Sequence, residues 1–158
     1  MTGVEVHRPK LRRLRVGESP VREPGLQAAF AAPVGQGRLR ATDDLGAAVK
    51  AADVIMVTVG TPSDPRGDVQ LDAVDRVTGD LADCLRHLQR PPVVMIRSTV
   101  PPGTVGKRVA PQLEEAASRV CVCHHPEFFR EGSGLDDFVR PPSSSPACAP
   151  LAVRARRR

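Results

Sequence analysis

The sequence contains no tryptophan and no tyrosine, and only four phenylalanines in 158 residues. Large aromatic anchors are therefore scarce. The two arginine-rich runs, Arg8 to Arg15 and Arg154 to Arg158, carry no aromatic side chains between their charges. A basic run without a stacking platform is a poor seat for single-stranded nucleic acid. The formal net charge of +5 therefore reads as two charged runs, and no nucleic-acid partner is expected. No apolar run reaches the roughly 18 residues that a membrane span requires, so no membrane partner is expected either. The N-terminus is polar and basic with no apolar core behind it, which speaks against a secretory signal. Without a secretory context the four cysteines read as reduced thiols, and the expected location is cytoplasmic. Internal repeats are absent.

What is present is an ordinary globular composition, long enough for one domain with a core. Gly3-Val-Glu-Val6 reads as the end of a strand. Pro9 suits the first turn of a short helix, with Leu11 and Leu14 on one face and Gly17 as its stop. Leu26 to Ala32 is helix-prone, and Pro33 is expected to end it. Arg38 to Ala41 alternate weakly like a strand, and Thr42 or Asp43 can cap a helix from Leu45 to Ala51. Val54 to Val59 is an apolar, β-branched run of the kind buried on both faces of a sheet. A Pro-, Gly- and Asp-rich loop follows, then a helix from about Asp72 to Leu88 with Val74, Val77, Leu81, Leu85 and Leu88 on one face. Val93 to Ile96 and Val120 to Cys123 are two more strands. The helix between them, Val105 to Ala117, contains Pro111 and should kink or break there. Strands alternating with helices, with crossovers long enough for parallel pairing, give an α/β fold with a mostly parallel sheet. Beyond Pro142 large apolar residues become rare, and residues 143–158 are expected to be a disordered basic tail.

The densest cluster of chemistry is His125-Pro-Glu-Phe-Phe-Arg-Glu-Gly132. Two carboxylates stand four residues apart directly after a strand, where a sheet's carboxyl edge commonly presents a site. A solvated surface turn is the alternative reading of the spacing. Glu5 ends the first visible strand, the position at which dinucleotide-binding folds place an acid against the adenosine ribose. An exposed acid at a strand end is the other reading. Val59-Gly-Thr-Pro62 follows a strand with residues small enough for close approach of a ring or a backbone. Cys121, Cys123 and His125 alternate along a strand about 7 Å apart, too widely for one tetrahedral zinc without a bend. No metal is expected, and these cysteines read as structural.

Four stretches, taken in order, resemble the UDP-glucose/GDP-mannose dehydrogenase family. They are Gly17-Glu-Ser-Pro20 with Glu23-Pro-Gly-Leu26, Val57-Thr-Val-Gly-Thr-Pro62, Arg97-Ser-Thr-Val-Pro-Pro-Gly-Thr104, and the Pro-Glu-Phe-x-Arg-Glu-Gly pattern ending at Gly132. The resemblance implies an NAD-dependent oxidation of the C6 alcohol of UDP-glucose or GDP-mannose to a carboxylate, in a family that is typically homo-oligomeric. It implies a Rossmann-like, doubly wound parallel sheet, with residues 1–142 as a partial NAD-binding domain. By resemblance, Thr99 helps hold a catalytic water and Glu127 works with it in acid/base steps. Glu5, Lys10, Val59, Gly60, Thr61, Pro62, Ser98, Val100 and Glu131 match residues near the NAD. Phe128, Phe129 and Arg130 match the stretch that contacts the nucleotide sugar.

Several departures from that pattern set further expectations. The Gly-x-Gly-x-x-Gly loop should lie about 20 residues before the ribose acid, yet only four residues precede Glu5. The sheet is therefore expected to be incomplete, lacking its first strand and glycine-rich loop. In a 3-2-1-4-5-6 order that strand belongs between the one ending at Glu5 and the one at Val54. The family's thiolate, which holds the substrate as a thiohemiacetal and then a thioester, and its catalytic lysine and asparagine have no counterpart here. Cys148 matches no family motif. His125 stands where the family usually has asparagine. The chain alone is expected to be inactive. An inactive fragment or a weak nucleotide-binding module is the alternative reading.

Overall fold

The structure, a computed structural model, describes residues 1–127, 129, 130 and 132–140. Phe128, Glu131 and the tail expected at 143–158 lie outside the described residues. The chain falls into two compact units, one of Met1–Ala48 with the described residues from 129 to 140, the other of Val49–Glu127.

In the first unit, β1 (Thr2–Val4) pairs in parallel with β2 (Arg40–Thr42). The backbone N–H of Glu5 donates to the Thr42 carbonyl at 2.9 Å and carries the ladder one step further. Helix α1 (Arg8–Arg15) starts at His7, whose ring accepts from the Lys10 N–H, and Pro9 sits in its first turn. It stops as expected. Gly17 has φ +79°, while the N–H groups of Glu18 and Gly17 donate to the carbonyls of Arg13 and Leu14. This is the paired closure that a left-handed glycine makes possible. Leu11 is buried on the inner face. Gln27 then pins the loop after α1, accepting from the Ser19 N–H and donating to the Gly17 carbonyl, each at 2.9 Å.

Helix α2 (Leu26–Gly35) runs through Pro33 instead of ending before it. Proline removes one donor but its φ suits a helix. In this last turn the loss is small, and the Ala32 and Pro33 carbonyls accept from Gln36 and Arg38. Helix α3 (Leu45–Lys50) is capped by neither Thr42 nor Asp43. Asp44 is adjacent to the first helical residue, so its carboxylate can reach the third-position N–H; it accepts from Ala47 at 2.8 Å. Thr42 Oγ1 accepts from the Asp44 N–H, and Asp43 pairs with Arg15.

A further helix, α6 (Gly134–Val139), was not legible in the sequence. Its start is clamped by Glu23, whose carboxylate accepts from the N–H groups of Gly134 at 2.6 Å and Gly132 at 3.2 Å. Asp137 is buried and accepts three bonds from Arg130, one from the backbone and two from the guanidinium. Phe129 and Phe138 meet edge-to-face with centroids 6.0 Å apart.

In the second unit, β3 (Val54–Val57), β4 (Val93–Ile96) and β5 (Cys121–His124) form a parallel three-stranded sheet in that order. The register sets Ile55, Val94 and Val122 side by side, then Val57, Ile96 and His124. On this face Val57, Val94, Ile96 and Val122 are buried. Helix α4 (Asp72–Leu85) follows β3 and buries Val74, Thr78, Leu81, Ala82 and Leu85. It ends three residues before Leu88. Helix α5 (Ala110–Ala116) follows β4, packs on α4 and buries Leu113. The expected break at Pro111 is a π-helical turn over Val105–Val109. Pro111 has no N–H for the Lys107 carbonyl four residues back. The Ala110 N–H reaches instead to Val105, and the wider turn absorbs the mismatch. Arg108 on this turn makes a two-pronged ion pair with Asp75 of α4, and that carboxylate raises the Arg108 pKa.

These elements make an α/β, Rossmann-like arrangement in which the parallel sheet exists as two ladders, with none joining them among the described residues. Among the described residues β1 and β3 each keep an unpaired edge. This corrects the reading of Val54–Val59 as buried on both faces. The strand is four residues long, and Val54 and Met56 are 54% and 53% exposed. Burial on both faces needs a second covering layer, which the hydrophobic run cannot supply for itself.

Two outcomes are expected. An apolar open edge templates further pairing, and a lysine there blocks it. The chain should self-associate with rising concentration, and Met56→Lys should reduce this while changing stability by no more than about 0.5 kcal/mol, as for other exposed sites. Sedimentation velocity checks it; unchanged association would show that the edge is not responsible. The second outcome concerns pH. Hydrogen bonds from the Arg130 side chain and backbone lower the Asp137 pKa from 3.8 to about 2. A lowered carboxyl stabilises the folded state above its unfolded pKa and loses that contribution as pH falls through the folded value. The 130–137 contact should therefore hold at pH 4 and weaken toward pH 2. The Arg130 amide resonance should titrate in that window, and in Asp137→Asn it should not.

Candidate functional site

Parallel strands end at the same edge, and here the three loops after β3, β4 and β5 are tied to one another. The N–H groups of Arg97 and Ser98 both donate to the Val57 carbonyl, at 2.9 and 3.2 Å. The Ser98 hydroxyl donates to the Val59 carbonyl at 2.7 Å, and the Thr61 hydroxyl to the Thr99 carbonyl at 2.8 Å. The His125 N–H donates to the Ile96 carbonyl at 2.9 Å, extending the β4–β5 ladder past its last paired residue. Val59, Gly60, Thr61 and Pro62 thus share one edge with Ser98, Thr99 and Val100. Ser98 and Val100 are buried, Thr99 is exposed, and an added Cβ on Gly60 would meet no atom within 4 Å. That open space and the small side chains fit the close approach of a flat ligand.

Glu127 stands two residues beyond His125 on the same edge. Its carboxylate pairs with the Arg97 guanidinium, Oε2 to Nε at 3.4 Å, and is about half exposed. The same guanidinium donates from Nη1 to Nδ1 of His125 at 2.7 Å. A half-exposed carboxylate with one buried cation behind it can exchange a proton with a ligand or water in front. Arg97 belongs to a motif noted in the sequence but drew no role there, because its reach to residues 28 and 30 positions later depends on strand register.

Cys121 and Cys123 share one face of β5, as their spacing predicted. Burial, and then the nearby Cys121, push the Cys123 pKa up, the reverse of what an activated thiol needs. Among the described residues Cys121 and Cys123 form no disulfide. Among the described residues no three His, Cys, Asp or Glu side chains converge as metal ligands. His124 turns to the other face, where its Nε2 is buried without a hydrogen-bond partner among the described residues.

The remaining sequence-derived residues belong to the first unit. Glu5 is half-buried just past β1, and its Oε1 accepts from the His7 N–H at 2.7 Å. Lys10 is exposed on α1. Phe129 packs on Phe138, and Arg130 is held by Asp137. Glu131 and Phe128 fall outside the described residues. Two open clefts of this unit, of about 470 and 340 Å³, meet at Glu23 and Pro24. Neither is lined by the residues of the β3–β5 edge, and the chemistry of that edge outweighs their size in locating the site.

The chain matches the UDP-glucose/GDP-mannose dehydrogenase family, NAD binding domain, over residues 1–144. It is 39% identical over 145 residues to a GDP-mannose 6-dehydrogenase of Pseudomonas putida, covering 89% of this chain and 33% of the relative. It is 43% identical over 134 residues to a UDP-glucose 6-dehydrogenase of Rhizobium meliloti, covering 84% and 30%. Its fold is similar to the crystal structure of a ternary complex of GDP-mannose dehydrogenase from Pseudomonas aeruginosa, with a TM-score of 0.85, 36% identity and coverage of 89% of this chain and 34% of that one. A UDP-glucose dehydrogenase from Pyrobaculum islandicum gives a TM-score of 0.81 at 37% identity, with coverage of 89% and 33%. The chain spans about a third of the length of the relatives it matches. With four ordered motifs, a parallel α/β sheet and a knitted carboxyl edge in agreement, the chain belongs to the UDP-glucose/GDP-mannose dehydrogenase family and carries the sequence of its NAD-binding domain.

Proposed function

We propose that this chain is the cofactor-side portion of an NAD-dependent dehydrogenase that oxidises the C6 alcohol of a nucleotide sugar, UDP-glucose or GDP-mannose, to a carboxylate. The observation that carries this reading is the β3–β5 carboxyl edge, where the Val59–Pro62 loop, Ser98 to Val100, and Glu127 are tied side by side. Open α/β sheets bind ligands at that edge. NAD, when bound, supplies the hydride acceptor for the oxidation. In this reading Glu5 takes the adenosine ribose, with Lys10 near it, and Val59, Gly60, Thr61, Pro62, Ser98, Val100 and Glu131 line the dinucleotide. Phe128, Phe129 and Arg130 face the nucleotide sugar. Because the Arg130 guanidinium and backbone N–H are committed to Asp137, the outer edge of its exposed side chain is the part open to substrate. Thr99 and Glu127 hold and deprotonate the water that supplies the carboxylate's second oxygen.

The sequence contains no Gly-x-Gly-x-x-Gly run, so no residue of this chain is assigned to the pyrophosphate. We expect the chain alone to bind NAD weakly and to produce no NADH with UDP-glucose or GDP-mannose. Calorimetry with NAD and an absorbance assay for NADH check this. Steady NADH production would overturn the fragment reading, and absence of any NAD binding would favour an inactive fragment. In a chain completed to the family's length, Glu127→Gln should lower kcat by about 10²–10⁴-fold, the usual contribution of a general acid/base, with KM for the sugar nucleotide little changed. An unchanged kcat would remove Glu127 from the chemistry.

A further inference from the structure

The geometry points to Arg97 as a positioning residue: one buried guanidinium fixes both the tautomer of His125 and the aim of Glu127. This rests on the proposed acid/base role of Glu127 for its functional meaning, but its structural content is independent of that role.

Arg97 is the first residue after β4, and its side chain is 10% exposed. Burying a guanidinium is costly unless its N–H groups find acceptors. Two of them are supplied by one short segment. His125 and Glu127 flank Pro126, whose ring fixes its own φ and restricts the residue before it. The His125 N–H is locked to Ile96, so the segment leaves β5 in a set direction. The guanidinium then reaches His125 Nδ1 from Nη1 at 2.7 Å and Glu127 Oε2 from Nε at 3.4 Å.

Guanidinium N–H groups only donate. Nδ1 of His125 must therefore be the accepting, unprotonated nitrogen, and the ring proton sits on Nε2. One cation thus decides two things at once. It selects a single neutral tautomer of His125, and it holds one oxygen of Glu127 while the carboxylate remains half exposed. A lysine could not do both, because its ammonium is a point charge without the planar fork that sends N–H groups in divergent fixed directions. The sequence puts Arg97 far from both partners. They meet only because Ile96 and His124 are register partners on adjacent parallel strands.

The test is a histidine-ring ¹⁵N spectrum of this chain, together with the Glu127 γ-methylene resonances. In the wild-type chain His125 should show one tautomer, with Nδ1 unprotonated and Nε2 protonated. The two Glu127 γ-protons should be inequivalent. In Arg97→Met the tautomer preference should be lost and the γ-protons should average toward one shift. Arg97→Lys should preserve one of the two signatures and lose the other. A wild-type spectrum with the proton on Nδ1 overturns the proposal even if no variant folds. A folded Arg97→Met chain with both signatures intact overturns it as well. NAD binding is measured separately. A chain with the expected tautomer that binds no dinucleotide supports the positioning by Arg97 and counts only against the cofactor reading.

Discussion

The site depends on one constraint, the parallel register of β3, β4 and β5 and its continuation past the strand ends. Two N–H groups from the β4 loop converge on the Val57 carbonyl, and one from the β5 loop reaches Ile96. Each bond contributes only about 1 kcal/mol net. Together they remove the freedom of three loops to move independently. The hydroxyls of Thr61 and Ser98 finish the work by tying loop to loop. Without this knitting the small residues of Val59–Pro62 and Ser98–Val100 would be two unrelated turns.

Charge placement follows from the same constraint. Arg97 is buried because β4 is the central strand of its sheet, and the position just past β4 is flanked by both neighbours. A cation there requires acceptors, and the segment leaving β5 provides a ring nitrogen and a carboxylate. Another charge pairing, Asp137 with Arg130, works differently. It folds the segment after Glu127 onto itself and starts α6 beneath the Glu23 clamp. Glu23 thereby gives the second half of the Gly17–Leu26 motif a physical role: it accepts the two glycine N–H groups at the head of that helix.

The uncovered face of β3 has a local signature too. Val54 and Met56 have the composition of a doubly covered strand and the exposure of an edge. The covered face of the same sheet is the contrast: Val94, Ile96 and Val122 are at most 1% exposed.

The sequence by itself determined the elements whose causes are local. Hydrophobic period placed α4 and the strands, Gly17 stopped α1, and Pro111 disturbed the helix before β5. It also marked the loops of the carboxyl edge, since their residue types and order carry the family pattern. It misplaced features where local signals compete. Pro33 is tolerated in a last turn, and Asp44 outranks Thr42 and Asp43 as a cap because adjacency to Leu45 decides reach. Tertiary structure alone decided the rest. Arg97 meets His125 and Glu127, and Glu23 meets Gly132 and Gly134 across 109 and 111 positions, through chain return and strand register. Side-chain partners so distant leave no periodicity in the sequence, because contact between them is set by how the backbone closes and not by any property of the residues in between.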